Sequence, residues 1–436
     1  MPQIQSVSYE FIRQQLIHVD KFELKKALYG SVLYAHQDVR EIRKLYTYYV
    51  GQRCELDYTK FGKWCYPNAN WSEPRFYFFG FAFDHHSKCF KGYTVTTAPS
   101  GRDAIRLYRN AVLPKSFWLP PHLRQFAQEW DVFGLDDLVA IDNAMDLLAD
   151  ATILMFGTYC VIVLRMPARR GDYKGTVERN QHTFETQCIS RMVGYVPSPF
   201  GETRHHWDAL NRIAKSKTTD TVADVEKALV EYGVHRYNYD DHPTLKKPRI
   251  AVYRESRERT PLLLPTGILQ LRTAFALTKE LTLTRSGVEF MEVFFNSTAL
   301  HKEYRTNTGK VIVKVTPDDL RSVLVFLPQV AGPIEATLTT FEVDFPLSWE
   351  LLDIVVNRAK ERYPNQPMSE VLPTAFPQIL AELQSGTSVV SKFGGHKEAQ
   401  AATHAARAPD AGAMPLRPGV DEEFDAALKK SRGQSQ

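Results

Sequence analysis

The chain has 436 residues, of which 44% are hydrophobic and 24% charged, enough for two or three domains with separate cores. Its formal net charge of +4 at pH 7 is compatible with nucleic-acid binding but does not by itself indicate it. The five cysteines are widely spaced and contain no CxxC pair, which argues against a disulfide framework or a zinc ribbon and favours a reducing compartment. No apolar run approaches the roughly 20 residues needed to cross a bilayer, and the first 20 residues lack the order of a signal peptide. We therefore expect a cytoplasmic protein with no membrane partner.

The first hundred residues show two patterns. Residues 1–50 contain amphipathic helical stretches rich in Lys and Arg, which could form a solvated face or contact phosphates. Residues 53–97 are aromatic and β-branched, with turn-forming residues between the runs, and predict a three-stranded meander. The next segment, SGRDAIRLYRNAVL, predicts a helix capped by Ser100 that ends at Pro114.

Residues 138–191 combine two strands, a helix between them, a basic loop and a second helix. LVAID is an apolar strand closed by an acid, a helix is expected over residues 144–157, and CVIVLRM has the apolar character of a strand buried on both faces. With the meander, the order β-β-β-α-β-α-β-α predicts a mixed α/β domain with a five-stranded sheet. This is the ribonuclease-H-like order.

Three acidic residues lie on separate elements of this domain. Asp142 ends a strand at the edge where ligands of open α/β sheets gather, although it could instead cap the following helix. Glu178 follows the basic loop in the first turn of a helix, where the helix dipole alone could favour it. Asp57 lies within the first strand and could simply face water. Carboxylates that converge from separate elements are what two-metal phosphoryl-transfer chemistry requires.

The remaining chain changes character several times. Residues 201–262 are helical and charged, and residues 263–340 are mostly short strands separated by turn residues, which suggests a small β-barrel. A helical segment is predicted over residues 341–384. Residues 385–436 are rich in Gly, Ser, Ala and Pro and are expected to be disordered, apart from a short amphipathic patch, DEEFDAALKKS.

Four short segments of the sequence resemble those of a known family. ELDYT, FAFDHHSKCFKGY, VAIDN and YKGTVER, in this order, resemble the catalytic core of retroviral-integrase-type DDE transposases, most closely the phage-Mu-type and TnsB-like branch. The resemblance spans roughly residues 50–340. It implies a ribonuclease-H-like catalytic core over residues 51–200, a helical linker over residues 201–262 and a Mu-type barrel over residues 263–340. Residues 1–50 resemble the end of a helix-turn-helix DNA-binding region, and family members carry further end-recognition domains upstream, so the sequence leaves open whether this chain is a fragment or a truncated form.

Carried over by motif, the metal-binding triad is Asp57, Asp142 and Glu178, which would hold two Mg²⁺ ions, with Mn²⁺ as a substitute. Asp84 is expected to be structural, and the alternative is that it replaces Asp57 as the first carboxylate. The implied reaction is cleavage at transposon ends followed by attack of the freed 3′ hydroxyl on target DNA. Basic residues beside the acidic helix could contact phosphates or form a solvated loop; they are Arg165, Arg169, Arg170, Lys174 and Arg179.

The resemblance also implies partners. Family members assemble as homo-oligomers on paired transposon ends, and the terminal patch, with Phe424 and Leu428 as anchors, would bind an AAA+ ATPase regulator. Two other functions are compatible with the sequence. A ribonuclease-H-like nuclease would cut without joining, but it would not need the barrel. A catalytically idle DNA-binding or assembly remnant would keep the fold without the activity.

Overall fold

The computed structural model describes residues 10, 14, 46–142, 155–166, 175–197, 204–264, 267–306, 309–385 and 395–407. Several predicted features lie outside these ranges. They are nearly all of the basic helical segment before residue 46, most of the helix expected over residues 144–157, the loop at 167–174, and the terminal patch after residue 407.

A mixed five-stranded sheet forms the amino-terminal half of the described chain. Its strands are β1 (Arg53–Cys65), β2 (Arg75–Asp84), β3 (Phe90–Thr96), β4 (Leu138–Asp142) and β5 (Ile162–Met166). The first three are antiparallel neighbours, whereas β4 is parallel to both β1 and β5, so the order is β3-β2-β1-β4-β5. The predicted meander and the predicted mixed five-stranded sheet are both confirmed.

Helix α1 (Gly101–Val112) packs against β3 and starts after Ser100, as predicted. The Ser100 hydroxyl does not cap a backbone N–H; it donates instead to the carboxylate of Asp103 at 2.6 Å. The packing is close enough to require glycine at position 92, where an added Cβ would lie 2.8 Å from the backbone nitrogen of Ala111. The strand and the helix therefore approach almost backbone to backbone.

Further helices follow β5: α2 (Gly175–Gln187), α3 (Arg204–Lys217), α4 (Val222–Tyr232) and α5 (Arg249–Arg259). The region expected as a helical linker is helical, but α4 and α5 differ from a linker because they share one core with the sheet. The cause is a heptad-like spacing of apolar residues that the charged composition obscures. The buried residues from these helices that join the sheet core are Val222, Val225, Leu229, Val230, Ile250 and Tyr253.

The predicted small barrel is present and closed. After α6 (Ile268–Ala274), its strands are β6 (Leu277–Thr284), β7 (Gly287–Phe290), β8 (Val293–Asn296), β9 (Gly309–Val315), β10 (Ser322–Phe326) and β11 (Ile334–Leu338), with α7 (Thr298–Glu303) between β8 and β9. Each strand is antiparallel to its neighbours, in the order β10-β11-β8-β7-β6-β9. Period-two alternation fills the interior; on β9, for example, Val311, Val313 and Val315 are buried while Ile312 is half exposed.

Three helices cover the barrel: α8 (Trp349–Arg362), α9 (Met368–Ser385) and α10 (Gly395–Arg407). Helix α10 corrects the expectation of disorder for residues 395–407, whereas residues 386–394 and 408–436 lie outside the described ranges. Its Ala401, Ala402 and Ala405 are fully buried in the core that the barrel shares with α8 and α9. Alanine is the strongest helix former, so a run that resembled low-complexity sequence by composition can form a helix with a narrow apolar face.

An ion cluster joins the two halves; its Arg106 and Asp103 are buried, and its other members are partly exposed. Arg106 on α1 pairs with Asp103 on the same helix at 2.9 Å, with Asp318 in the β9–β10 connection, and with Glu350 at the start of α8 at 3.3 Å. Arg109 also pairs with Asp318. Burial would raise the pKa of the Asp318 carboxyl, but the two guanidinium groups outweigh it and hold that pKa well below its usual range. These ion pairs link the barrel and its covering helix α8 to helix α1 of the sheet half.

All five cysteines have free thiols, as the spacing predicted. Within the described ranges, no helix is both long enough and apolar enough to cross a membrane.

Candidate active site

Two of the three predicted ligands lie on neighbouring strands. The parallel register of β1 and β4 pairs Leu56 with Ile141, so Asp57 and Asp142 are each the next residue along their strands. Neighbouring strands are about 4.8 Å apart, so the two backbone positions are adjacent at one level of the sheet. Asp57 is partly exposed, and the side chain of Asp142 lies outside the described part of the structure.

The helix that carries Glu178 is tied to the same strand. The backbone N–H of Val177 donates to Glu55 Oε2 at 3.0 Å, and Glu55 is only 1% exposed. Glu178 is therefore the residue next to an amide bonded to β1, and Glu55 is two positions before Asp57 on that strand. Because side chains alternate along a strand, Glu55 and Asp57 are on one face of the sheet.

The second carboxylate oxygen of Glu55 contacts two further side chains. This oxygen, Oε1, lies 2.6 Å from His85 Nδ1, just after the end of β2, and 3.0 Å from the guanidinium of Arg53. Burial would raise the pKa of the Glu55 carboxyl, but the hydrogen bond to His85 and the charges of His85, Arg53 and Lys88 together leave that pKa below its ordinary value. The carboxylate is thus ionised and fully engaged.

Glu178 itself faces outwards. It is exposed on α2, whereas Val177 and Phe184 of the same helix are buried in the sheet core. The structure therefore brings together the backbone positions of Asp57 and Asp142 and the first turn of the helix that bears Glu178.

Asp84 has the structural role expected of it. It is fully buried at the end of β2, and its carboxylate accepts the backbone N–H of Gly51 at 2.9 Å and both the backbone N–H and the hydroxyl of Ser87, at 2.7 and 2.6 Å. A carboxylate that is already occupied by three donors closes the β2–β3 turn. The alternative first ligand has no support from these contacts.

The chemistry of the donor set suits a hard divalent cation. Three carboxylates are oxygen ligands of the kind that Mg²⁺ and Mn²⁺ prefer. No group of three His, Cys, Asp or Glu side chains spaced to hold a metal is found among the described side chains, which do not include that of Asp142. Cys65 and Cys89 pack in the sheet core, and burial raises the pKa of the Cys65 thiol to about 12 and that of Cys89 above its ordinary value.

Of the five predicted phosphate-binding residues, Arg179 is described with its side chain and is exposed beside Glu178. The backbone of Arg165 belongs to β5, but its side chain lies outside the described part, as do Arg169, Arg170 and Lys174. Lys88, in the β2–β3 turn, is half-buried close to the same cluster. Burial lowers the pKa of its amine, and the charges of Glu55 and Asp84 act against that shift.

Sequence reasoning missed Glu55 and its partners. The signal was present, because Glu55 belongs to the ELDYT motif and is two residues from Asp57, hence on the same face of the strand. Its contact with α2 joins residues 122 positions apart, which no local pattern reveals.

A cavity of about 300 Å³ opens beside the second half of α2. Its lining includes Thr183, Gln187, Arg191, Tyr232 and Arg236. Of the predicted ligands whose side chains are described, neither Asp57 nor Glu178 lines it.

Comparison with known proteins gives one family. Residues 70–194 match the model of the TnsB C-terminal domain, a range that includes Asp142 and Glu178 but not Asp57. The match covers less than half of the chain and supports a transposase-related protein at the family level. A search of curated proteins found no match.

Among solved structures, the chain is similar to one described as the cryoEM structure of simian T-cell lymphotropic virus intasome in complex with PP2A regulatory subunit B56 gamma. The sequence identity is 12%, the TM-score is 0.31, and the alignment covers 75% of this chain and 91% of that chain. A likeness this weak carries no inference.

Proposed function

We propose that the protein is a DDE-type DNA transposase that cleaves transposon ends and joins the freed 3′ hydroxyl to target DNA. One geometric observation carries the proposal. Asp57 and Asp142 lie at one level of adjacent parallel strands, and the bond from Val177 to Glu55 holds the first turn of α2, with Glu178, against β1. The family match over residues 70–194 supports the same class.

The architecture is consistent with this proposal. A sheet in the order β3-β2-β1-β4-β5, with three antiparallel strands first, is the arrangement expected of a ribonuclease-H-like core. The closed barrel that follows corresponds to the Mu-type barrel expected after such a core. A nuclease that only cuts would have no need of it.

In this proposal Asp57, Asp142 and Glu178 hold two Mg²⁺ or Mn²⁺ ions. When bound, such ions lower the pKa of an attacking water and stabilise charge on the leaving oxygen. The protein positions the three carboxylates through the parallel register and the anchored start of α2. The exposed guanidinium of Arg179, one residue from Glu178, is placed to contact a DNA phosphate.

The test is strand transfer of a pre-cleaved transposon end in Mg²⁺, run beside cleavage of an intact end. Asp142→Ala and Glu178→Ala should each abolish joining while leaving DNA affinity largely intact. Glu185→Ala is the matched control, since it removes an acid from the same helix. Glu185 accepts the Tyr195 hydroxyl at 3.1 Å and lies 3.9 Å from His182. The control variant should join at the wild-type rate.

Three outcomes separate the candidate functions. Joining that depends on both acids supports the transposase, and cleavage without joining points to the nuclease. DNA binding with neither reaction points to the idle remnant. Joining that survives Asp142→Ala or Glu178→Ala would reject the triad.

We also propose that the protein forms homo-oligomers on paired transposon ends and that residues 415–436 bind an AAA+ ATPase. These residues lie outside the described ranges, so the proposal rests on the sequence resemblance. Deletion of residues 415–436 should remove ATPase binding in a pull-down while DNA affinity is kept. Unchanged ATPase binding would reject this partner contact.

A further inference from the structure

We infer that Glu55 is a positioning residue that fixes the first turn of α2, and with it Glu178, against β1. The inference rests on the proposed function, because it concerns the metal site of that reaction. Glu55 is not a fourth ligand, since both of its oxygens are already bonded.

The geometry gives Glu55 this task. The first amides of a helix have no partner within the helix, and Val177, two residues after the start of α2 at Gly175, is one of them. A capping side chain normally comes from the residue just before the helix. Here the acceptor comes from a strand 122 residues earlier. One hydrogen bond therefore both completes the helix start and sets its position relative to Asp57.

The charges around Glu55 make this arrangement tolerable. A buried carboxylate near three other acids would repel them if it were uncompensated. Arg53, which is only 3% exposed, supplies a positive charge 3.0 Å from Glu55, and His85 supplies a second contact at 2.6 Å. The helix dipole also favours a negative group at the amino end of α2. Glu55 can thus hold the helix without adding net negative charge to the site.

Such a residue should affect metal binding more than folding. Loss of a group that orients a metal ligand typically lowers metal affinity or activity about 10- to 100-fold. We therefore expect Glu55→Ala to weaken Mn²⁺ binding and to lower the kcat of strand transfer by that factor, with KM for DNA nearly unchanged. Glu55→Gln keeps an oxygen acceptor for the Val177 amide and should stay within about threefold of wild type, as expected for retained positioning.

The experiment uses the full chain. Mn²⁺ affinity is measured by the loss of the free-ion electron paramagnetic resonance signal, and strand transfer is measured at saturating Mn²⁺. Glu226→Ala is the matched control, because Glu226 is a buried glutamate, 2% exposed, that accepts the Tyr93 hydroxyl at 3.2 Å. It should lose stability but keep wild-type Mn²⁺ affinity.

The variants distinguish a positioning role of Glu55 from a purely structural one. Glu55→Ala with the Mn²⁺ affinity and kcat of Glu226→Ala would overturn the inference, as would a Glu55→Gln variant as impaired as Glu55→Ala. If Glu55→Ala does not fold, Val177→Pro removes the donor and keeps Glu55, and it should show the same loss. A wild-type protein that binds Mn²⁺ and joins DNA, with unaffected variants, rejects only the role of Glu55. A wild-type protein that does neither rejects the proposed function as well.

Discussion

The sheet and the barrel differ most in what they bury. Around the strands of the sheet lie charged groups with almost no exposure, among them Arg53, Glu55, Asp84, Lys91 and Asp136. In the barrel, across the described residues 277–306 and 309–338, no polar or charged side chain is buried. Its charged pairs, such as Lys310 with Glu280, are on the outside.

This difference indicates that the two regions have different roles. Burying charge costs free energy unless each group is paired, and an apolar interior of equal volume is often more stable. The barrel has the composition expected of an element that serves packing. The sheet retains costly ionic groups near Asp57 and the start of α2, where a reaction would need fixed charges. The following predictions test the contrast, from the largest effect to the smallest.

Lys91→Met should destabilise the sheet half most. The Lys91 ammonium lies 2.6 Å from both carboxylate oxygens of Asp136, and both side chains are buried. Burial already raises the pKa of Asp136 to about 6, and without Lys91 the carboxylate loses the charge and the hydrogen bonds that oppose this shift. We expect a loss of about 3–5 kcal/mol in the free energy of unfolding, measured with urea. The double variant Lys91→Met with Asp136→Leu should lose less. If the unfolding free energy of Lys91→Met lies within about 1 kcal/mol of the wild-type value, the buried charges of the sheet half do not depend on their pairing.

The sheet half should also be acid-sensitive through His242. Burial, followed by the positive charge of Arg249, lowers the pKa of His242 to about 4 from 6.5, and its ring accepts the amides of Thr244 and Leu245. The unfolded chain takes up the proton first, so stability is complete above pH 6.5 and falls towards pH 4. The loss from this group should be at most about 3 kcal/mol.

His242→Asn is the matched variant for that prediction, because asparagine can accept the same amides but does not titrate. The difference in unfolding free energy between pH 7 and pH 4.5 should be smaller in the variant. An equal acid loss in both proteins would show that His242 is not the cause.

A hydroxyl inside the barrel should be poorly tolerated. Val313→Thr keeps the shape of a fully buried side chain but places a polar group in an interior without buried polar partners on the described strands. We expect a cost of about 1–3 kcal/mol in urea unfolding. Ile312→Thr, on the outer face of the same strand, is the control and should cost less. Equal losses of unfolding free energy at the two positions would show that the barrel interior can accommodate a hydroxyl as well as the outer surface does.

The charges on the outside of the barrel should matter least. Lys310 and Glu280 lie 3.6 Å apart and are 72% and 60% exposed. Water and salt screen such a pair, so Lys310→Ala should change the unfolding free energy by no more than about 0.5 kcal/mol. A larger change that disappears in high salt would mean that this surface contributes to stability electrostatically.

Local patterns predicted the strands and the barrel well, and non-local contacts limited the rest. The aromatic and β-branched composition of residues 53–97 and the apolar run that ends at Asp142 were enough to indicate β1 and β4. The role of Glu55 depends on a hydrogen bond from the Val177 amide, which lies far away in the sequence and comes close only in the folded chain. Helix α10 was missed because its alanines, such as Ala401, look like a solvated tail until a partner surface covers them.

The ion cluster at Arg106 determines how the two halves can move. A hinge motion between sheet and barrel would pull Arg106 away from Asp318 and Glu350, and water would have to replace these ion pairs. The pairs therefore oppose such a motion. In the proposed function, DNA bound at the sheet would meet the barrel in the orientation that this cluster favours.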